Sequence, residues 1–112
     1  MTKLKCFLFI VITMSTILGC EKETMYQYEV TGTAGSFFVT CEGSPNGTIQ
    51  YSNVGSGWTY SWSQTGTRWL YLSAQNNTSS GTVTVKIVRN GKVIAQQTSD
   101  GGYVISTVDG DY

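Results

Sequence analysis

Thr82 to Ser99 reads TVTVKIVRNGKVIAQQTS, two alternating runs hinged at Asn90-Gly91. Side chains of a strand point alternately to its two faces, so Val83, Val85 and Ile87 share one side and Thr82, Thr84 and Lys86 the other. Asn-Gly suits a two-residue type I′ turn, because both central residues need positive φ and these two tolerate it best. A tight turn there sets Ile87 opposite Ile94 and Val88 opposite Val93. A lone hairpin is marginal in water, and its valine face requires a second layer to cover it.

The remainder of the chain supplies that layer. No helical period follows Cys20; short segments rich in Val, Ile, Thr, Tyr, Phe and Trp alternate with Gly, Asn and Ser, the pattern of strands and turns. SFFVTCE places Phe37, Val39 and Cys41 on one side, and the turn GSPNG, Gly43 to Gly47, joins it to TIQYSNV. GWTYSWSQ sets Trp58, Tyr60 and Trp62 on one face, which is expected to pack inward. In RWLYLSAQN, Leu70, Leu72 and Ala74 are the inward set and Trp69 and Tyr71 face out, with Phe38 a further outward aromatic. With YQYEVTGT and YVISTV the count is seven to eight strands, for which a small antiparallel β-sandwich is the default solution. The Cys…Trp…Cys spacing of antibody domains is absent, so this all-β fold is expected to be immunoglobulin-like in architecture only.

Ahead of the strands, Lys3 and Lys5 precede the apolar run Cys6 to Leu18, the charged start and greasy middle of a secretory signal. Thirteen residues fall short of the roughly 20 needed to span a bilayer. Ile17-Leu18-Gly19-Cys20 resembles the lipobox of bacterial lipoproteins. That resemblance implies cleavage after Gly19 and attachment of a diacylglyceryl group to the Cys20 sulfur, a reaction for which a polarisable thiolate is the fitting nucleophile. The alternative is an ordinary cleaved signal beside a chance cysteine. The expected organisation is a signal peptide over 1–19, a lipidated terminus and tether over 20–25, a sandwich over 26–109 and a tail over 110–112.

Removal of residues 1–19 leaves five cations against seven acids, a net charge of −2. Such a chain has no basic footprint for nucleic acid. Cys6 is lost with the signal and Cys20 is acylated, so Cys41 has no internal disulfide partner. It is a reactive thiol, a site of intermolecular pairing or a small buried hydrophobe, and its parity with Phe37 and Val39 favours the core.

There is no histidine, which removes the commonest general base and metal ligand. The acids are scattered: Glu21 and Glu23 in the tether, Asp109 and Asp111 near the end, Glu29, Glu42 and Asp100 on strands or turns. Asp109-Gly110-Asp111 lacks the remaining ligands of a calcium loop. The expectation is a non-enzymatic chain with no metal and no cofactor beyond the covalent lipid. Outward aromatics at Phe38, Trp69 and Tyr71 are the candidate ligand-binding residues, able to stack on sugars, accept lipid tails or seed a protein interface. Ordinary cross-strand pairing is the competing account of the same residues.

YEVTGTA at Tyr28 to Ala34, SNV before Trp58, YLSAQN at Tyr71 to Asn76, GTVTVKI at Gly81 to Ile87, and GKVIAQQTS before GYVI occur in order across most of residues 26–108. In this the domain resembles the MmpS family, the mycobacterial membrane protein small family, and its lipoprotein relatives. The resemblance implies an immunoglobulin-like sandwich outside the cytoplasmic membrane, and in its mycobacterial branch an accessory of lipid-exporting transporters. Those members carry a transmembrane anchor where this chain carries Cys20. The expected setting is the bacterial cell envelope, periplasmic or surface-exposed. The expected partners are the membrane, through the anchor, and a protein or other envelope component, with a surface glycan or lipid as the alternative ligand.

Overall fold

The computed structural model describes residues 23–43 and 47–112. Gly19, Cys20, the signal and most of the expected Gly43–Gly47 turn lie outside the described residues. Among the described residues eight strands form: β1 (Thr24–Thr31), β2 (Phe37–Glu42), β3 (Thr48–Val54), β4 (Trp58–Gln64), β5 (Trp69–Asn76), β6 (Thr82–Arg89), β7 (Lys92–Asp100) and β8 (Ile105–Asp111). β1 takes in Thr24 and Met25, expected in the tether, and β8 runs to Asp111, into the expected tail. That last stretch is held because Tyr112 and Arg68 exchange backbone hydrogen bonds of 3.1 Å in both directions.

The strands make two antiparallel four-stranded sheets, ordered β4-β1-β6-β7 and β3-β2-β5-β8, packed face to face as a β-sandwich. Alternation assigns the faces. Tyr28 and Val30 of β1, Phe37, Val39 and Cys41 of β2, Leu70, Leu72 and Ala74 of β5, and Val83, Val85 and Ile87 of β6 are fully buried between the sheets. β1 and β2 are interior strands of their sheets, β1 between β4 and β6, β2 between β3 and β5. At one point the backbones nearly touch: a Cβ on Gly32 would stand 2.1 Å from the Thr82 carbonyl oxygen, so glycine alone fits where β1 ends against β6.

The Asn90-Gly91 turn has the expected geometry, with φ of 49° and 82°. Val88 lies opposite Val93 as expected, but Ile87 pairs with Ala95 and not with Ile94, because β7 carries a bulge there. The extra residue switches the parity of β7. Ala95, Gln97 and Ser99 then stand opposite the inward Ile87, Val85 and Val83. That switch closes one side of the sandwich. Ser99 Oγ donates to the Ile105 carbonyl at 3.0 Å, Ser106 Oγ donates to the Val83 carbonyl at 2.9 Å, and Thr107 N–H donates to Gln97 Oε1 at 2.7 Å. The opposite side, between edge strands β3 and β4, is filled by rings: Tyr51 lies 5.2 Å from Trp58, and Trp62 lies 4.6 Å from Tyr28. Trp62 is buried, while Trp58 and Tyr60 are only half-buried beside that edge.

One end of the sandwich gathers the start of β1, the end of β4, the start of β5, the β6–β7 turn and the end of β8. Thr24 pairs with Gln64, the Gln64 side chain donates to the Tyr112 carbonyl at 3.3 Å, and Met25 and Asn90 are bonded to each other. The opposite end gathers the turns after β1, β3, β5 and β7, where Asn77 N–H reaches the Ser36 carbonyl and Gly101 N–H the Gly81 carbonyl. That far end is organised by Asn76, a fully buried amide at the end of β5. Its Nδ2 donates to the carbonyls of Ser80 (3.0 Å) and Gly101 (2.8 Å), and its Oδ1 accepts from Thr78 N–H (2.7 Å) and Oγ1 (2.6 Å).

Candidate functional site

Sheet β3-β2-β5-β8 turns a polar face outward, and the aromatic candidates stand on it. Trp69 and Tyr71 are two residues apart on β5 and so share that face. Trp69 is 49 % exposed and Tyr71 half-buried. Their rings stack with centroids 5.6 Å apart and planes inclined by 23°. That offset-stacked geometry gives each ring an attractive contact and leaves an upright aromatic ridge. On the β8 side Trp69 faces Asp111 and Tyr71 faces Asp109. On the β2 side the next position after the Cys41–Leu72 pair is Glu42, whose carboxylate accepts from Gly47 N–H at 3.2 Å. The ridge is therefore rimmed by carboxylates, a setting that favours a ligand carrying positive charge over an anionic one.

Phe38 is on the same face but not in the same group. It pairs with Gln75, two same-face positions beyond the row of Tyr71, which at about 3.3 Å per residue places it roughly 13 Å along the sheet. The structure joins Trp69 to Tyr71 and leaves Phe38 apart, half-buried among polar neighbours.

Beneath the ridge, Tyr28 crosses from the other sheet and donates its hydroxyl to the Glu42 carbonyl at 2.9 Å. Burial drives its pKa far above the usual phenol value, with the Tyr71 backbone opposing. Cys41, beside it, is fully buried, as its parity implied. Burial first, and the Glu42 charge second, push its thiol from 9.0 to about 11. The thiolate needed for nucleophilic chemistry is thereby suppressed at neutral pH.

The sign of the resulting pH dependence follows from linkage. An unfolded thiol ionises near pH 9, the folded one holds its proton to about pH 11, so the stability this group contributes is complete below pH 9 and is lost as pH rises through that window. The loss should total roughly 2–3 kcal/mol. Urea unfolding across this range should show the decline in the wild-type chain and a shallower one in Cys41→Ala; identical slopes would remove Cys41 as its source. Native Cys41 should also react slowly with a bulky maleimide.

Trp69→Ala should cost about 1 kcal/mol or less, since the ring is half in solvent and loses one stacked neighbour. Gly91→Val, which forces a β-branched residue to a φ of 82°, should cost on the order of 1–3 kcal/mol. Thermal melts of the two variants make the comparison, and a larger drop for Trp69→Ala would place that ring in the core.

A second feature was not legible in the sequence. On the outer face of the other sheet an open depression of about 340 Å³ lies over Met25, Val88, Gly91 and Val93, with Glu29 and Ser61 also lining it. Met25 is 54 % and Val93 45 % exposed. Val93 was visible only as the partner of Val88, and the paired valines read as a hairpin contact until Met25 of the neighbouring region is placed beside them.

Among the described residues no group of three or more Cys, Asp or Glu side chains could hold a metal ion, and no helix is long and apolar enough to cross a membrane. No protein-family model matches the chain, and no curated protein matches it.

Proposed function

We propose that this chain is a non-enzymatic lipoprotein of the bacterial cell envelope, anchored through an acyl-modified Cys20 and presenting its sandwich as a binding or accessory module. The observation that carries the reading is the position of β1. Among the described residues the first strand begins at Thr24, with three residues between it and Cys20, and it is an interior strand paired on both sides. A domain joined so closely to its anchor acts at the membrane surface and not at a distance from it. An immunoglobulin-like form of this sandwich is what the MmpS resemblance suggests; in the observed topology every connection but β2–β3 and β6–β7 passes from one sheet to the other. Service to an envelope transporter is the form of this role that the MmpS resemblance suggests.

A second reading rests on the stacked, half-exposed Trp69–Tyr71 pair, which suits a surface glycan or lipid ligand. Phe38 is too distant to share that site.

Detergent-phase partitioning with metabolic acyl labelling tests the anchor: the wild-type chain should enter the detergent phase labelled, and Cys20→Ala should remain folded, unlabelled and aqueous. Persistent labelling of Cys20→Ala would contradict it. Cross-linking and pull-down from solubilised membranes should recover a protein partner under the first reading. A glycan or lipid array bound by the wild-type chain and lost in Trp69→Ala would favour the second.

A further inference from the structure

The way the chain leaves the fold fixes which side of the sandwich an anchor would hold against the bilayer. Met25 N–H donates to Asn90 Oδ1 at 3.1 Å, and Asn90 N–H returns a bond to the Met25 carbonyl at 2.8 Å. The start of β1 is thus clamped to the tip of the β6–β7 hairpin. Three residue steps separate Cys20 from Glu23. Even fully extended they span about 11 Å, at no more than ~3.6 Å each. An acyl chain on Cys20 therefore brings the hairpin tip to the headgroups.

The composition of that end fits the position. Met25 and Val93 are the exposed apolar side chains there on the outer face of sheet β4-β1-β6-β7. Arg89 and Lys92 flank the turn, paired with each other across it and both exposed, and the register turns them to the opposite face of the hairpin from Val88 and Val93. A hairpin tip that carries exposed apolar side chains together with long cationic ones suits the interface of an anionic leaflet, because Arg and Lys side chains can reach the phosphates while the apolar ones enter. The acids of β8, Asp109 and Asp111, lie on the outer face of the other sheet, and Glu29, which lines the depression, stands opposite Lys86 farther from the hairpin tip.

We infer that this end of the sandwich is a membrane-docking surface, with Met25 and Val93 entering the headgroup region of an anionic leaflet and Arg89 and Lys92 meeting its phosphates. The inference rests on the acylation of Cys20 proposed above. Docking holds the domain in one orientation, leaving the far end, where Tyr103 is 59 % exposed, pointing away from the membrane for a partner.

The test uses the acylated chain in vesicles of phosphatidylcholine alone or mixed with phosphatidylglycerol, with a nitroxide on Val93→Cys or on Tyr103→Cys. Buried Cys41 is left in place, and the unsubstituted chain measures any labelling there. The mass of the amino-terminal peptide establishes acylation in the same sample. At position 93 the label should be open to oxygen and shielded from a water-soluble nickel chelate, more so with phosphatidylglycerol; at position 103 it should remain exposed to the chelate. Arg89→Ala and Lys92→Ala should each reduce the docked population about fivefold on anionic vesicles. Equal chelate exposure at 93 and 103 in an acylated chain would overturn the docking surface and leave the anchor standing. A Cys20 without an acyl group would overturn both.

Discussion

Asn76→Ala should remove about 3–5 kcal/mol of stability, because it strands the Thr78 N–H and the Gly101 carbonyl and leaves the Ser80 carbonyl only the Thr78 hydroxyl. Each such group costs roughly 1–3 kcal/mol when left unpaired. A domain of this size has only about 5–15 kcal/mol in all. Thermal and urea unfolding should show the loss, at roughly 4–8 °C of melting temperature per kcal/mol. Asn76→Asp separates lost hydrogen bonds from lost volume. Its carboxylate still accepts from Thr78 but turns an oxygen toward the Ser80 and Gly101 carbonyls, so the folded state favours the protonated acid, which donates again. Its folded pKa rises above the unfolded value, so the stability it retains is present at low pH and is lost as pH rises through the folded value. Asn76→Asp should thus be more stable near pH 4 than at neutrality, relative to the wild-type chain. No pH effect, with a cost below 1 kcal/mol for Asn76→Ala, would mean that the far-end turns hold themselves.

The second large effect is expected at Tyr28. Its ring is fully buried, lies 4.6 Å from Trp62 and 6.2 Å from Tyr60, and its hydroxyl ties β1 to β2 across the core. Tyr28→Ala should cost about 3–5 kcal/mol, the usual range for emptying an aromatic site in a core. Tyr28→Phe keeps the packing and loses the bond to the Glu42 carbonyl, at a cost nearer 1 kcal/mol. Urea midpoints rank the two. A phenylalanine variant as unstable as the alanine one would make the inter-sheet hydrogen bond, and not the ring, the main contribution of this residue.

What could be read from the sequence was what local periodicity encodes. Parity placed Cys41, Leu72 and Val85 inside and Trp69 outside, because a strand alternates wherever it runs. Asn90-Gly91 announced its own turn, because few other residue pairs accept two successive positive φ values. The misses depend on partners distant in the chain. The turn fixes register only beside itself, and the bulge that moves Ile87 from Ile94 to Ala95 is favoured by what β7 must offer β8, through Ser99 and Gln97. Asn76, followed by Asn-Thr-Ser-Ser-Gly, reads as a turn residue; the Gly101 carbonyl that helps bury it is 25 residues away.

For the candidate site the same division holds. Alternation put Phe38, Trp69 and Tyr71 on one outer face, but a face is not a row. Whether aromatics on neighbouring strands meet depends on the β2–β5 register, and that register sets Phe38 beside Gln75, away from the stacked pair. The depression over Met25 and Val93 required the order of sheet β4-β1-β6-β7, which places β1 beside β6. No short-range signal carries that adjacency.

The central claim, that this sandwich is held to a membrane through Cys20, is tested most directly by the mass of the amino-terminal peptide of the mature chain isolated from bacterial membranes. The expected result is a peptide beginning at Cys20 whose mass exceeds that of Cys-Glu-Lys by a diacylglyceryl group, with no free thiol at that residue. A mature chain beginning at any other residue, or at Cys20 with an unmodified sulfur, would contradict it.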